Sequence, residues 1–582
     1  MYLGLKYTSF VVVSLFCLYV FTIRITGKHG FDEDRYDKTL NGIAMLMDRY
    51  WLAILMLLFG VFCFTRFYAL SIVPAGVHLD EIGYWYDAHN LAKYGTDRMG
   101  SRYPVLPASY GDGHNPFYCY MCMVMLKFFP FSVGLMRAVM GISAIPCFFA
   151  SFGIVYQMYE SRRWALLGPV FVLVTPYIFA ANRWGLNANQ MLYVCTVMLY
   201  FFVCALKYGR VRDYILTGVF LGISLLTYHL SYIMMPLFFI MAFGYLIAVG
   251  KFSWKNMFAA FIPFAVIGMP TFIEQLVNLG LVEPFYFMGS DYQKLLSYRV
   301  GEIAPVNFVK NIGNIIPLVF GDTQYNYNSV KEFGTVYWAM IPLMAVGAVI
   351  GAVELVRSVK DKRMRLLPLF ILYGLSIYIG FISVVGCNVY KGNAIYICFI
   401  VLAVEGLRYI AGDKKQRNRL IVLAVLAVIA FSFLLYSEFY FRRLNNAYGL
   451  QALFKSTEPG DMLKYEEETY NPDHSKKVYM ELNYEDRDYA EWMLALYLEL
   501  EPAVFNKYDF GRKEMESAGA SQEEIFKTLW LDNIQFAFPE NYDENEDAVY
   551  ILGYNWDHIA AYLIDTGYEC DTSFPGYKIL HK

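Results

Sequence analysis

The 582-residue sequence predicts a mainly α, polytopic membrane helical bundle of about twelve spans with a C-terminal α/β domain outside the bilayer. Three observations carry that reading. Only 17% of residues are charged, against about a quarter in a soluble domain, while 57% are hydrophobic and 18% aromatic. Apolar runs long enough to cross a bilayer recur from the N-terminus to residue 440. The net charge of −3 conceals two regions: residues 1–440 hold 35 Lys+Arg against 23 Asp+Glu, and residues 441–582 hold 13 against 28.

The expected spans fall near 9–26, 50–70, 133–158, 164–182, 187–206, 213–230, 231–249, 255–274, 336–356, 366–387, 392–408 and 420–440. The first run, "SFVVVSLFCLYVFTIRIT", lacks a strong charged n-region and a small-residue cleavage site, so it reads as a retained span. Alternate connections are basic: "ESRRW", "KYGRVRD", "GKFSWK", "RSVKDKRMR" and "GDKKQRNR". Those between them, "NRWGLN", "YHLSY" and "CNVYKGN", contribute only Arg183 and Lys391. Cationic loops stay in the cytoplasm, which puts the first set inside and the second outside. The same alternation sends the N-terminus and the C-terminal region outside. No N-x-Ser/Thr tripeptide occurs, which leans towards a bacterial cytoplasmic membrane.

The expected organisation is an extra N-terminal span and cytoplasmic linker at 1–49, then a transmembrane domain at 50–440 with outer loops 71–132 and 275–335, then an acidic outer domain at 441–582. In that last region "KKVYMEL" and "DAVYILGY" are β-rich, while "DYAEWMLALYLEL" and "WDHIAAYLIDTGY" have a helical period. It carries no Gly-rich phosphate loop and no His/Cys cluster, so a structural or acceptor-docking role is expected. The ten cysteines form no disulfide framework, and most lie in apolar runs. Cys119 and Cys122 have no second pair to complete a metal site.

Polar groups at the outer ends of spans are costly and need a reason. Asp80 and Glu81, in "AGVHLDEIGYWYDAHNLAKYGTDRMG", stand just beyond a span. They suit a helix N-terminus, and a cap held rigidly can also present a base. In "YGDGHNPFY", Asp112, His114, Asn115 and Pro116 mark a turn, and His78, Asp80 and His114 could meet around a metal. Arg137 sits one turn inside a span end, where it must snorkel, pair with a carboxylate or bind an anion. Arg183 and Lys391 break the outer charge rule on one face, which suggests an anion to be bound. Tyr228 and His229 interrupt an otherwise apolar hairpin; aromatic belts explain the tyrosine better than the histidine.

"VHLDEIGYWYDAHNLAKYGTDRMG", "YGDGHNPFYCYM" and "FPFSVGLMRAVMGI" together resemble the first outer loop and following span of the GT-C glycosyltransferases, in the branch of the protein O-mannosyltransferases and the lipid A aminoarabinose transferase. "NRWGLNANQMLYVCTVMLYF", "GDTQYNYNSVKEFGTVYW" and "CNVYKGNAIYICFIVLAVEGL" are similar to later segments, so the resemblance spans about residues 50–410. It implies a GT-C bundle that moves a sugar from a polyprenyl-phosphate donor to an outer hydroxyl acceptor. Asp80 is then the base and Glu81 its support. Arg137, Arg183 and Lys391 are candidates for the donor phosphate, and Tyr84, His114, Asn187, Tyr228 and His229 for substrate contacts. Asn187 stands where relatives often carry an acid, and Lys391 where many carry Arg. Expected partners are the lipid donor, the bilayer and a protein, lipid or glycan acceptor, with no nucleic acid. No resident cofactor is implied; a divalent metal stays open, since the family has members of both kinds.

The chemistry fits the layout. A hydroxyl is a poor nucleophile, so a carboxylate must take its proton, and a leaving lipid phosphate wants cations opposite. An inverting single displacement is expected by analogy with the family. The rival is a multi-pass transporter or lipid flippase. Transporters place substrate groups near the midplane on broken helices, whereas here the suspicious residues share one face.

Overall fold

The computed structural model describes residues 2–27, 36–296, 304–321, 329–412, 417–451, 453–481, 490–538, 547–553 and 556–582. Among them, all twelve apolar runs are helical, and eight helices are long and apolar enough to cross a membrane. These are Gly4–Thr26, Val133–Tyr159, Asn187–Tyr208, Ser231–Ala248, Trp254–Asn278, Trp338–Asp361, Val389–Ala411 and Arg419–Tyr448. The chain is a multi-pass membrane protein.

The other four runs fall short for local reasons. Trp51–Phe67 meets the amphipathic helix Asp37–Arg49 at a 77° bend. The run expected at 164–182 breaks into Arg162–Ala165, Leu167–Val174 and Pro176–Ala181. Pro176 holds Thr175 extended (ψ 121°) and cannot donate to the turn before it. Val211–Leu225 ends where "TYHL" turns the chain, and Leu367–Ile382 has 16 residues.

The connections fall at two ends of the bundle. At one end lie the connections around Arg183, Tyr228 and Tyr390, together with the first outer loop. The Tyr2 hydroxyl donates to Glu438 (3.0 Å) and Lys6 Nζ to the Lys331 carbonyl (2.9 Å) at that end. At the other end Asp37 pairs with Arg417 (3.0 Å) and Arg163 faces Asp48 (3.9 Å).

The C-terminal region is α/β as expected. Its five strands run in the order Ile534–Gln535, Lys477–Glu481, Ala548–Leu552, Lys578–His581 and Glu569–Asp571. The first three are parallel and the last two antiparallel to their neighbours, with Val478 opposite Val549 and Ile551 opposite Ile579. The fully buried central strand Ala548–Leu552 has no polar face, the pattern of a strand covered on both sides. This unit is packed onto the first outer loop. Trp492 meets Tyr110, Phe505 meets Tyr86 and Tyr497 meets Phe131, with ring centroids 5.1, 5.5 and 5.4 Å apart.

Candidate functional site

The site begins where the chain leaves the helix Trp51–Phe67. The last turn of any helix has carbonyls without intrahelical donors, and the irregular stretch 68–76 adds more. Two buried arginines answer them. Arg183 donates to the carbonyls of Thr65 (2.7 Å), Arg66 (3.3 Å), Tyr68 (2.8 Å) and Val73 (3.1 Å). Arg137 donates to those of Leu70 (3.0 Å), Pro74 (3.0 Å) and Gly76 (2.7 Å). A planar guanidinium can satisfy several carbonyls at once, which an ammonium cannot do with the same geometry.

The chain then pairs as a short strand, Val77–His78, with Phe454–Lys455, and enters the helix Leu79–Lys93. His78 is its N-cap. Its Nδ1 accepts the Asp80 N–H (3.1 Å), and the Glu81 carboxylate accepts the His78 N–H (2.9 Å), a reciprocal box. The His78 ring is held between Trp184 and Phe454, with centroids 5.0 and 5.2 Å away. Burial, opposed by Glu81 and aided by Arg137, keeps its pKa down to about 4, so it caps as the neutral ring.

Asp80 and Glu81 therefore part company. Glu81 is wholly buried and bidentate to Arg137, with Nε–Oε1 and Nη2–Oε2 both 2.9 Å. Its Oε1 also accepts the Gly185 N–H (2.7 Å). Gly185 has to be glycine there, because a Cβ would collide with the Tyr118 hydroxyl. The Asp80 side chain is 40% exposed, 3.6 Å from His78 Nδ1, and lines a cavity of about 360 Å³.

That cavity gathers residues from five separated parts of the chain. Tyr84, Tyr110, Asp112 and His114 come from the first loop, Trp184 and Asn187 from the second connection, Tyr228 and His229 from the third, and Asn388 and Tyr390 from the last. Leu453, ahead of the C-terminal sheet, closes one side. All five side chains expected to touch substrate, Tyr84, His114, Asn187, Tyr228 and His229, line it with Asp80. Neither ring nitrogen of His114, nor His229 Nε2, has a hydrogen-bond partner among the described residues. Burial, with Asp87 opposing and Arg98 assisting, keeps His114 down to about 4; burial and then the nearby Lys391 ammonium keep His229 down to about 3. Both rings are neutral at pH 7 and can give or take a hydrogen bond from a hydroxyl-rich ligand.

Two of the expected phosphate ligands lie away from this cavity. Arg137 and Arg183 are wholly buried, absent from the cavity wall, and their terminal nitrogens are spent on backbone carbonyls and Glu81. Lys391 is also buried and outside the cavity lining; its Nζ donates to the Val385 carbonyl (3.1 Å), and its charge acts on His229. His78, Asp80 and His114 share the cavity, but among the described residues no three His, Cys, Asp or Glu side chains are arranged to hold a metal ion. Cys119 and Cys122 are free thiols buried in the helix Pro116–Leu126.

Sequence reasoning missed a second buried pair that shapes the loop. Asp87 meets Arg98 Nε at 2.8 Å and also accepts the Ser109 N–H (3.1 Å). Arg98 lies over Trp492, 4.6 Å from its ring centre. Asp97 accepts the backbone N–H groups of Met99, Ser101 and Ala108, each at 3.0 Å, and so folds the return of the loop. The Gly-x-Asp at 95–97 was the available signal for Asp97; nothing local marks Trp492 or Leu453.

This bundle, with a carboxylate-edged cavity at one end and an α/β unit packed on the neighbouring loop, is similar in fold and in one segment to known membrane proteins. Residues 113–276 match the family model described as dolichyl-phosphate-mannose-protein mannosyltransferase. The crystal structure of ArnT from Cupriavidus metallidurans bound to undecaprenyl phosphate superposes with a TM-score of 0.54 at 13% identity, covering 90% of this chain and 97% of that one. The apo structure of the same ArnT gives 0.54 at 12%, covering 91% and 97%. No curated protein sequence matches the chain. The fold and the matched segment bear out the resemblance: the chain has the GT-C-type membrane fold seen in ArnT, and its segment 113–276 is similar to the mannosyltransferase family.

Proposed function

We propose that the protein transfers a sugar from a polyprenyl-phosphate donor to a hydroxyl acceptor on the outer side of a bacterial cytoplasmic membrane, with Asp80 as general base. The observation that carries this reading is the division between the two adjacent carboxylates. Glu81 is consumed in holding the helix start, and Asp80 faces the cavity from a fixed cap. The undecaprenyl phosphate in the ArnT structure supports the donor class.

In this mechanism Asp80 takes the acceptor's proton as its oxygen forms the new bond to the anomeric carbon. The bond from that carbon to the phosphate oxygen breaks, and the lipid phosphate leaves with the electron pair. A single displacement inverts the anomeric centre. Lys391 is the cation for the departing phosphate, and Arg137, Arg183 and Glu81 are positioning residues that fix the 68–81 segment. Tyr84, Asn187, Tyr228 and the neutral rings of His114 and His229 present hydrogen-bonding groups suited to sugar hydroxyls.

The test is donor turnover in reconstituted membranes, wild type against Asp80→Asn, with a panel of polyprenyl-phosphate sugars. Loss of turnover by orders of magnitude in a folded variant supports Asp80 as base. Equal turnover reduces Asp80 to a helix cap. No turnover by the wild type with any donor favours the transporter reading.

A further inference from the structure

A second cavity lies at the opposite end of the bundle from Asp80. It is a cleft of about 460 Å³ between the amphipathic helix Asp37–Arg49, the turn at Arg163–Leu167 and the start of the last long helix, Arg419–Glu438. Its floor is apolar: Leu40, Ile43 and Met47 from the first helix face Trp164, Leu167 and Leu426. Its rim is cationic, with Arg163, Arg417 and Arg419 all lining it. Asp37 meets both Arg417 (3.0 Å) and Arg419 (3.8 Å), Asn41 Oδ1 accepts from Arg419 Nη1 (2.6 Å), and Asp48 stands 3.9 Å from Arg163. Arg162 lies over Trp51 and Arg49 over Tyr50, each without a carboxylate in that contact. Among the described residues, these contacts set five arginines against two carboxylates around an oily slot.

The helix Asp37–Arg49 explains why the slot exists. It leaves Trp51–Phe67 at 77°, too sharply to continue the span, and so lies across the end of the bundle with its apolar stripe turned inward. Leu40 is buried, while Ile43 is 38% exposed at the cleft. An apolar stripe beside cationic side chains is the arrangement by which interfacial helices take lipid. The three rim arginines are part-exposed on their side chains, at 43%, 37% and 31%, and Arg417 and Arg419 each hold one local bond through Nη1, to Asp37 and Asn41. A guanidinium suits phosphate as a forked donor.

We infer that this cleft is a binding site for an anionic phospholipid, its acyl chain along Leu40, Ile43, Met47 and Leu426 and its phosphate between Arg163, Arg417 and Arg419. The bound lipid ties the Asp37–Arg49 helix to the last long helix. It is distinct from the donor, whose sugar must reach Asp80 at the other end. The inference is independent of the transferase reading, since it rests on the lining and charge of the cleft alone. It also agrees with the side: these are the basic connections, and anionic headgroups attract basic segments on the cytoplasmic leaflet.

The experiment measures lipid co-purifying with the full chain from nanodiscs of mixed phosphatidylglycerol and phosphatidylcholine, by native mass spectrometry. The wild type should retain phosphatidylglycerol enriched several-fold over its share of the nanodisc. The double variant Arg417→Gln/Arg419→Gln should fall to the bulk ratio, and Arg417→Lys/Arg419→Lys should keep most of the enrichment, which guards against misfolding as the cause. Leu426→Trp, which fills the slot and leaves every charge in place, should lower retention of both lipids. Excess inorganic phosphate should not displace the lipid. No enrichment in the wild type, equal enrichment in the Gln variant, or full displacement by inorganic phosphate would each overturn the proposal.

Discussion

Arg137 grips Glu81 with two parallel hydrogen bonds of 2.9 Å inside a fully buried pocket, and the same guanidinium holds the Leu70, Pro74 and Gly76 carbonyls. One side chain thus ties the exit of the helix Trp51–Phe67 to the start of the helix that carries Asp80. Removing one partner of a buried pair strands the other charge, at a cost of about 3–5 kcal/mol. Glu81→Gln is expected to lower the thermal midpoint by several degrees and to lower turnover with it. Arg137→Lys keeps the charge but loses the fork, and should fall between wild type and Glu81→Gln. A Glu81→Gln protein as stable as wild type would remove the pair from this role.

On the proposed mechanism, Arg183 is a positioning residue and Lys391 meets the phosphate, and kinetics can tell the two roles apart. Arg183 caps carbonyls of the 65–73 stretch and is buried, so Arg183→Gln should lower kcat while leaving the donor KM within about twofold, the pattern of a displaced base rather than a lost ligand. Lys391→Gln should raise the donor KM by about tenfold or more, the value of one charge-assisted hydrogen bond. Steady-state kinetics over a donor series distinguishes them. A raised KM in Arg183→Gln with unchanged kcat would return that arginine to the phosphate.

These two arginines also show where sequence stops being informative. Tyr228, His229 and Asn187 could be found because each is a polar residue in a short connection between apolar runs, and Asp80 because it stands just beyond one; one charge alternation puts all of them at the same end. Arg137 and Arg183 were visible by the same rule, but their targets were not. The carbonyls they bind belong to an irregular exit whose hydrogen-bonding need has no residue signature. Leu453, which lines the cavity, and Phe454, which packs on His78, were invisible for a different reason: they are brought there by a two-residue strand pairing between parts of the chain separated by over 370 positions. Propensity says nothing at that range.

Phe454 tests that long-range wall. Its ring lies against His78 and Trp184, with centroids 5.2 and 5.7 Å away, and its strand partner is the cap of the site helix. Phe454→Ala is expected to cost about 3–5 kcal/mol for a buried aromatic and to reduce kcat by loosening His78. Phe454→Leu should recover most of the stability but only part of kcat, because it refills volume without the ring contact. Equal recovery of both would mean that the residue acts through packing alone.

His114 carries the pH prediction. Burial holds its folded pKa near 4, below the ordinary value of about 6.5, even with Asp87 3.7 Å away. A base whose pKa is depressed by folding contributes stability that is intact above the unfolded pKa and is lost as pH falls towards the folded one. Other groups titrate over the same range, so the quantity to measure is a difference: the thermal midpoint of wild type minus that of His114→Gln, from pH 8 to pH 4. The difference should be constant above about pH 7 and should move against the wild type between about pH 6.5 and pH 4. Turnover corrected for the folded fraction should not follow that curve, because the neutral ring, and not a titrating one, lines the cavity throughout the working range. A difference that stays flat to pH 4 would mean that His114 is reached by water and protonates without opposition.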